Sequence, residues 1–122
     1  MGREGSTVVN FKWHIPGRLA TGGKPSCVEQ IEWLREQGIQ AIVSLVLIPE
    51  AVVSKIESAG INYLSMPISD YDDVMYDPYA WGEFSRFIHA NIHSGKAVFV
   101  HCNAGYRRSV RLVEKYIVKR EE

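Results

Sequence analysis

Cys102 and Arg108 are separated by Asn103-Ala104-Gly105-Tyr106-Arg107, and this short segment holds the residues best suited to chemistry. An apolar, β-prone run, Val98-Phe99-Val100-His101, precedes it. Ser109 then opens a stretch of alternating apolar and charged residues. A strand that feeds a loop opening a helix gathers backbone N–H groups and the positive end of the helix dipole around one point, which suits an anion. A thiol in such a place loses its proton easily, because helix N-termini and arginine lower a cysteine pKa from about 8.5 into the range of ~3.5–7.5. An arginine at the far end of the loop can hold two oxygens of a phosphate at once. Nucleophile, anion cradle and clamp therefore share one segment, and the chemistry they suit is phosphoryl transfer.

The rest of the chain has to position that loop. Residues 8–14 are rich in β-formers, Ile15-Pro16-Gly17 signals a turn, and Arg18-Leu19-Ala20 can return as a second strand. Thr21-Gly22-Gly23-Lys24 does not make a Walker loop, because Gly23 stands where lysine is required and Pro25 follows Lys24. Ser26-Cys27-Val28-Glu29 reads as a capping box ahead of a helix carrying Val28, Ile31 and Leu34 and stopping at Gly38. Residues 41–47 form a continuous apolar run, as expected of a strand covered on both faces. Pro49 opens a second helix with Val52, Val53 and Ile56 inside and Gly60 at its end, and residues 61–68 form the next strand. This alternation predicts a single α/β domain with a mostly parallel central sheet of about five strands. The loop from Cys102 to Arg108 would lie between the last strand and the C-terminal helix. The loop over 69–76 leaves the C-terminal edge of a strand, where such sheets place their ligands. Asp77-Pro78 then reads as N-cap and first residue of a long helix with a core stripe of Trp81, Phe84, Ile88 and Ile92.

Composition narrows the classes further. The chain has 122 residues, 46% hydrophobic, and balances 14 basic against 14 acidic residues, which disfavours a long polyanion such as nucleic acid as partner. Two cysteines, Cys27 and Cys102, are too few for a disulfide framework and fit a reducing compartment. No apolar run approaches the ~20 residues of a membrane span, so a cytoplasmic, membrane-free protein is expected. The start, Met1-Gly2-Arg3-Glu4-Gly5-Ser6, fits the permissive myristoylation pattern but reads better as part of a flexible terminus over residues 1–7, ahead of a domain over 8–122. His89 and His93 are four apart, yet two potential ligands without a third are a weak metal signal. No cofactor or metal is expected.

His101-Cys102-x-x-Gly105-x-x-Arg108-Ser109 resembles the signature of the cysteine-based protein tyrosine phosphatase superfamily, and of its small atypical dual-specificity members in particular. Asn10-Phe11-x-Trp13-x-x-Pro16-Gly17-Arg18-Leu19-Ala20 resembles the N-terminal strand pair of a minimal subgroup, and Pro67-Ile68-Ser69-Asp70 resembles the segment that carries the general acid. The resemblance implies that Cys102 attacks phosphorus and forms a phosphocysteine. It implies that the amides of Asn103, Ala104, Gly105, Tyr106, Arg107 and Arg108, with the Arg108 guanidinium, hold the phosphoryl oxygens. Ser109 would hydrogen-bond the sulfur, His101 would fix the loop, and Asp70 would be the general acid, with Asp72 and Asp73 as rivals in the same loop. Arg107 beside the pocket, with Tyr71, Tyr76 and Tyr106 as walls, would meet the substrate.

Relatives usually continue with small apolar residues after the signature, whereas here Leu112, Val113, Tyr116 and Ile117 form an apolar stripe opposite Arg111, Glu114, Lys115 and Lys119. The resemblance implies two further helices and a water-positioning glutamine loop that this sequence lacks. A polar face turned to solvent, slow dephosphorylation and self-association are the corresponding expectations. The leading function is hydrolysis of phosphotyrosine, with phosphoserine and phosphothreonine, in a phosphorylated protein. The rivals are a phosphate-binding module with little turnover and a phosphatase for RNA 5′-phosphates or phosphoinositides.

Overall fold

A computed structural model describes residues 7–120, so the myristoylation-like start and most of the expected flexible terminus lie outside the described residues. Five strands form one sheet: β1 (Lys12–Ile15), β2 (Leu19–Gly22), β3 (Ile39–Ser44), β4 (Asn62–Ser65) and β5 (Ala97–His101). Their spatial order is β1-β2-β5-β3-β4, with only the β1–β2 hairpin antiparallel. The α/β fold with a mostly parallel five-stranded sheet is therefore observed. The last strand in sequence is the middle strand in space. It pairs with β2 on one side and β3 on the other, and His101 lies level with both Gly22 and Ser44.

Side chains alternate across β5. Val98, Val100 and Cys102 pack with Phe84, Ile88, Leu112 and Val113 under α4 (Pro78–His93) and α5 (Arg108–Arg120). Ala97 and Phe99 pack on the other face with Ile31, Leu34, Val52 and Ile56 of α1 (Val28–Glu36) and α2 (Glu50–Ser58). Burial on both faces is why residues 41–43 read as unbroken apolar sequence.

Several boundaries differ from those expected. The first strand begins at Lys12, because Asn10 takes a left-handed turn (φ 56°) and Val8 drops into the core. The apolar run at 41–47 ends as strand at Ser44, and Leu47 is 72% exposed. The strand expected over 61–68 spans Asn62–Ser65, and the following residues leave the sheet to carry the 69–76 loop with its one-turn helix α3 (Asp72–Met75). The capping box does not form: Cys27 is the N-cap of α1 without a side-chain cap bond. The buried Gln30 accepts the Ser26 N–H instead, and its amide donates to the Thr7 carbonyl at 3.0 Å. From the inner side of the helix an amide can accept from one segment and donate to the other, which the exposed carboxylate of Glu29 does not do.

Asp77 caps α4 as its position implies, accepting the N–H groups of Tyr79 and Ala80 at 2.9 and 3.3 Å with Pro78 next in line. The cap fixes where the 69–76 loop ends. Asp77→Ala should destabilise the protein by about 1 kcal/mol, read as a lower urea midpoint at unchanged m-value.

Candidate active site

The signature loop leaves the C-terminal end of β5 and enters α5, among the parallel strand ends where α/β sheets build ligand sites. Its outward carbonyls are occupied from behind. Lys24 N–H donates to the Asn103 carbonyl at 3.1 Å, and the Asn10 side-chain amide donates to the Ala104 carbonyl at 2.6 Å. Leu45 N–H takes the His101 carbonyl at 3.0 Å. With these carbonyls engaged outside, the loop is free to aim N–H groups at the sulfur, and Gly105 N–H does so at 3.3 Å.

Glycine is required where this bracing is tightest. Gly105 has φ +86°, and a Cβ there would stand 2.4 Å from both Gly22 C and Gly23 N. A Cβ on Gly22 would meet the Phe99 ring at 2.8 Å, and one on Gly23 would meet a Val9 methyl at 2.5 Å. The Gly22-Gly23-Lys24 stretch, which fails as a nucleotide loop, is thus the surface on which the signature loop rests.

Cys102 is only 2% exposed. Burial pushes its thiol up, but hydrogen bonds from the Ser109 hydroxyl and from the amides of Ser109, Arg107 and Gly105 outweigh it, so the thiol lies below its ordinary value. The Ser109 hydroxyl is 3.2 Å from the sulfur and fully buried with it. His101 is fully buried and its pKa is lowered to about 4, chiefly by that burial, so it is neutral near pH 7. Its Nδ1 faces the Cys102 carbonyl at 3.2 Å and its Nε2 faces the Ser44 hydroxyl. A carbonyl only accepts, so the proton belongs on Nδ1 and Ser44 donates to Nε2. His101 therefore ties two strands to the loop and does not reach the sulfur as an acid.

Arg108, half-buried, donates from Nη1 to the Ile68 carbonyl at 2.7 Å, two residues ahead of Asp70. Within that loop Asp73 accepts the N–H groups of Ser69 and Asp70 at 3.0 and 3.1 Å, which commits its carboxylate to holding the turn. Asp70 is exposed and accepts only a long bond, 3.3 Å, from Asp72 N–H, so its carboxyl is the less committed of the two. Asn103, Ala104, Tyr106 and Arg107 are exposed on the outer side of the loop. Tyr71, Tyr106, Arg107 and Arg111 line a groove beside it.

The polar face of α5 is not simply turned to water. Lys115, half-buried, donates to the Met75 carbonyl at 2.7 Å, and Arg111 lies over the Tyr71 ring. The Tyr76 ring is a cation partner of Lys115. His89 and His93 stack their rings at 5.6 Å on an exposed helix face, and among the described residues no group of three or more potential metal ligands occurs. Cys27 is partly exposed at the start of α1, away from the signature loop in sequence and element. No described helix is long and apolar enough to cross a membrane.

A family model for the dual specificity phosphatase catalytic domain matches residues 22–122, and the chain belongs to that family of cysteine-based phosphatases. Among solved structures it is similar to a DUF442 protein of Shewanella putrefaciens CN-32, at 21% identity and TM-score 0.77, over 98% of this chain and 75% of that one. A mutant form of Tk-PTP matches at 26% identity and TM-score 0.70, over 90% and 71% of the two chains. The catalytic domain of the PP-IP phosphatase SIW14 from S. cerevisiae matches at 18% identity and TM-score 0.73, over 95% and 69%.

Sequence reasoning named the loop residues but not Asn10, Ser44, Gly22, Gly23 or Lys115 as parts of the site. The double glycine beside a turn was the one available signal; the others act through contacts distant in sequence.

Two outcomes follow from this geometry. Because the thiol is held below its ordinary value, alkylation of Cys102 by iodoacetamide should reach half its plateau rate at a lower pH in the folded protein than in the unfolded chain. Ser109→Ala should move that midpoint upward, as read by peptide mass spectrometry. Gly105→Ala should abolish the rise in unfolding temperature produced by tungstate. Gly95→Ala, at φ +82° but facing open space, should keep it.

Proposed function

We propose that this chain is a protein phosphatase that hydrolyses phosphotyrosine, and phosphoserine and phosphothreonine, through a phosphocysteine. The observation that carries the reading is a buried sulfur receiving hydrogen bonds from Ser109 and Gly105, with Arg108 at the end of the same loop. In the first step a lone pair of the Cys102 thiolate forms the S–P bond while the ester P–O bond breaks, and Asp70 gives its proton to the leaving oxygen. The amides from Asn103 to Arg108 and the Arg108 guanidinium, released from Ile68, hold the three equatorial oxygens as their charge redistributes. In the second step water attacks phosphorus and gives a proton to the Asp70 carboxylate. The S–P electron pair returns to sulfur, and inorganic phosphate leaves. The Ser109 hydroxyl stabilises the thiolate that departs.

Asp70 is preferred to its neighbours because Asp73 is occupied with the Ser69 and Asp70 amides and Asp72 opens α3. A phosphorylated protein is favoured as substrate because the groove beside the loop combines two tyrosines with two arginines, which suits an acidic peptide flank.

Hydrolysis of phenyl phosphate and of tyrosine-, serine- and threonine-phosphorylated peptides tests the proposal. Cys102→Ser should reduce kcat/KM to background, and Asp70→Asn should lower it about 100-fold or more. Activity surviving Cys102→Ser would refute the mechanism. A peptide rate no better than that on RNA 5′-phosphate or phosphoinositide would refute the substrate class.

A further inference from the structure

Arg108, Arg111 and Lys115 stand three and four residues apart, so they share one face of α5. Each takes hold of the loop that carries Asp70, and together they hold it in order. Arg108 donates to the Ile68 carbonyl at 2.7 Å. The Arg111 guanidinium lies 5.6 Å from the centre of the Tyr71 ring. Lys115 Nζ donates to the Met75 carbonyl at 2.7 Å and lies 4.9 Å from the Trp81 ring and 5.4 Å from the Tyr76 ring.

The consequence depends on when each contact persists. If Arg108 turns its donors to a phosphoryl group, the loop loses its tie at Ile68 at the moment Asp70 must be in place. The Lys115 contact lies on the far side of Asp70 and does not involve the phosphate cradle, so it survives that exchange. A cation with one carbonyl and two aromatic faces as partners is worth more here than on an open surface, since it is half-buried and Met75 closes α3.

We propose that Lys115, with Arg111 as a lesser partner, is a positioning residue that holds the 69–76 loop against α5 so that Asp70 stays aimed at the leaving oxygen when Arg108 engages the phosphate. This rests on the reading of Asp70 as the general acid. Lys115 touches neither phosphate nor the reacting atoms; it acts through the backbone of α3.

The test compares leaving groups, because a displaced acid matters for a poor leaving group and little for one that departs unaided. The quantity read is the ratio of kcat/KM for phenyl phosphate to that for 2,4-dinitrophenyl phosphate, which reports the first phosphoryl transfer. Lys115→Met should lower this ratio about 10-fold, part of the ~100-fold or greater effect of losing the acid. Lys115→Arg should restore it. In an Asp70→Asn background Lys115→Met should lower it no further. Amide exchange over 69–76 should rise in Lys115→Met while exchange over 98–102 stays slow. If Lys115→Met does not fold, Lys115→Gln carries the same comparison. An equal fall for both substrates, or a ratio drop that adds in full to that of Asp70→Asn, would overturn the proposal. Failure of the underlying reading looks different: Asp70→Asn by itself would leave the ratio unchanged, and the role of Lys115 would fall with it.

Discussion

Cys102 is only 2% exposed, so a thiolate there depends on donors that the protein supplies. That constraint shapes the fold around Cys102. The Ser109 hydroxyl and the loop amides reach the sulfur because the loop curls through Gly105, and Gly105 can curl there because Gly22 and Gly23 present bare backbone. The carbonyls that such a curl turns outward accept hydrogen bonds from the Lys24 N–H and the Asn10 side-chain amide. His101, neutral and bonded to Ser44, locks the strand end from which the loop departs. The donors that stabilise a thiolate are also those that suit a phosphoryl group, so the proposed nucleophile and cradle come from one backbone arrangement.

The sheet order explains why these parts converge. β5 is last in sequence and central in space, so its C-terminal end is flanked by the ends of β2 and β3, and β4 delivers the Asp70 loop from the next position. α5 then runs back under one face with Leu112, Val113 and Tyr116 buried and its cations turned toward α3 and α4. One helix thereby anchors the signature loop at its start and grips the Asp70 loop along its side.

Much of this was legible in the chain. The spacing of Cys102, Gly105, Arg108 and Ser109 marks the candidate site, the alternation of apolar runs with helical segments marks the α/β sheet, and Asp77-Pro78 marks the start of α4. What stayed hidden depends on contacts between residues far apart. Gly22 and Gly23 look like ordinary turn glycines until Gly105 is laid against them. Ser26 and Glu29 form a good local capping pattern, but Gln30 reaches Thr7 and Ser26 together and displaces it. Arg111 and Lys115 read as a solvent face because helical periodicity separates polar from apolar and cannot tell water from a carbonyl and three aromatic rings.

The central claim is that Cys102 becomes covalently phosphorylated during turnover. Rapid acid quenching of the protein with phenyl phosphate, followed by peptide mass spectrometry, tests it most directly. The account predicts one phosphoryl group on Cys102, appearing within the first turnover and absent from Cys102→Ser. Release of phosphate with no such adduct, or an adduct on another residue, would contradict it.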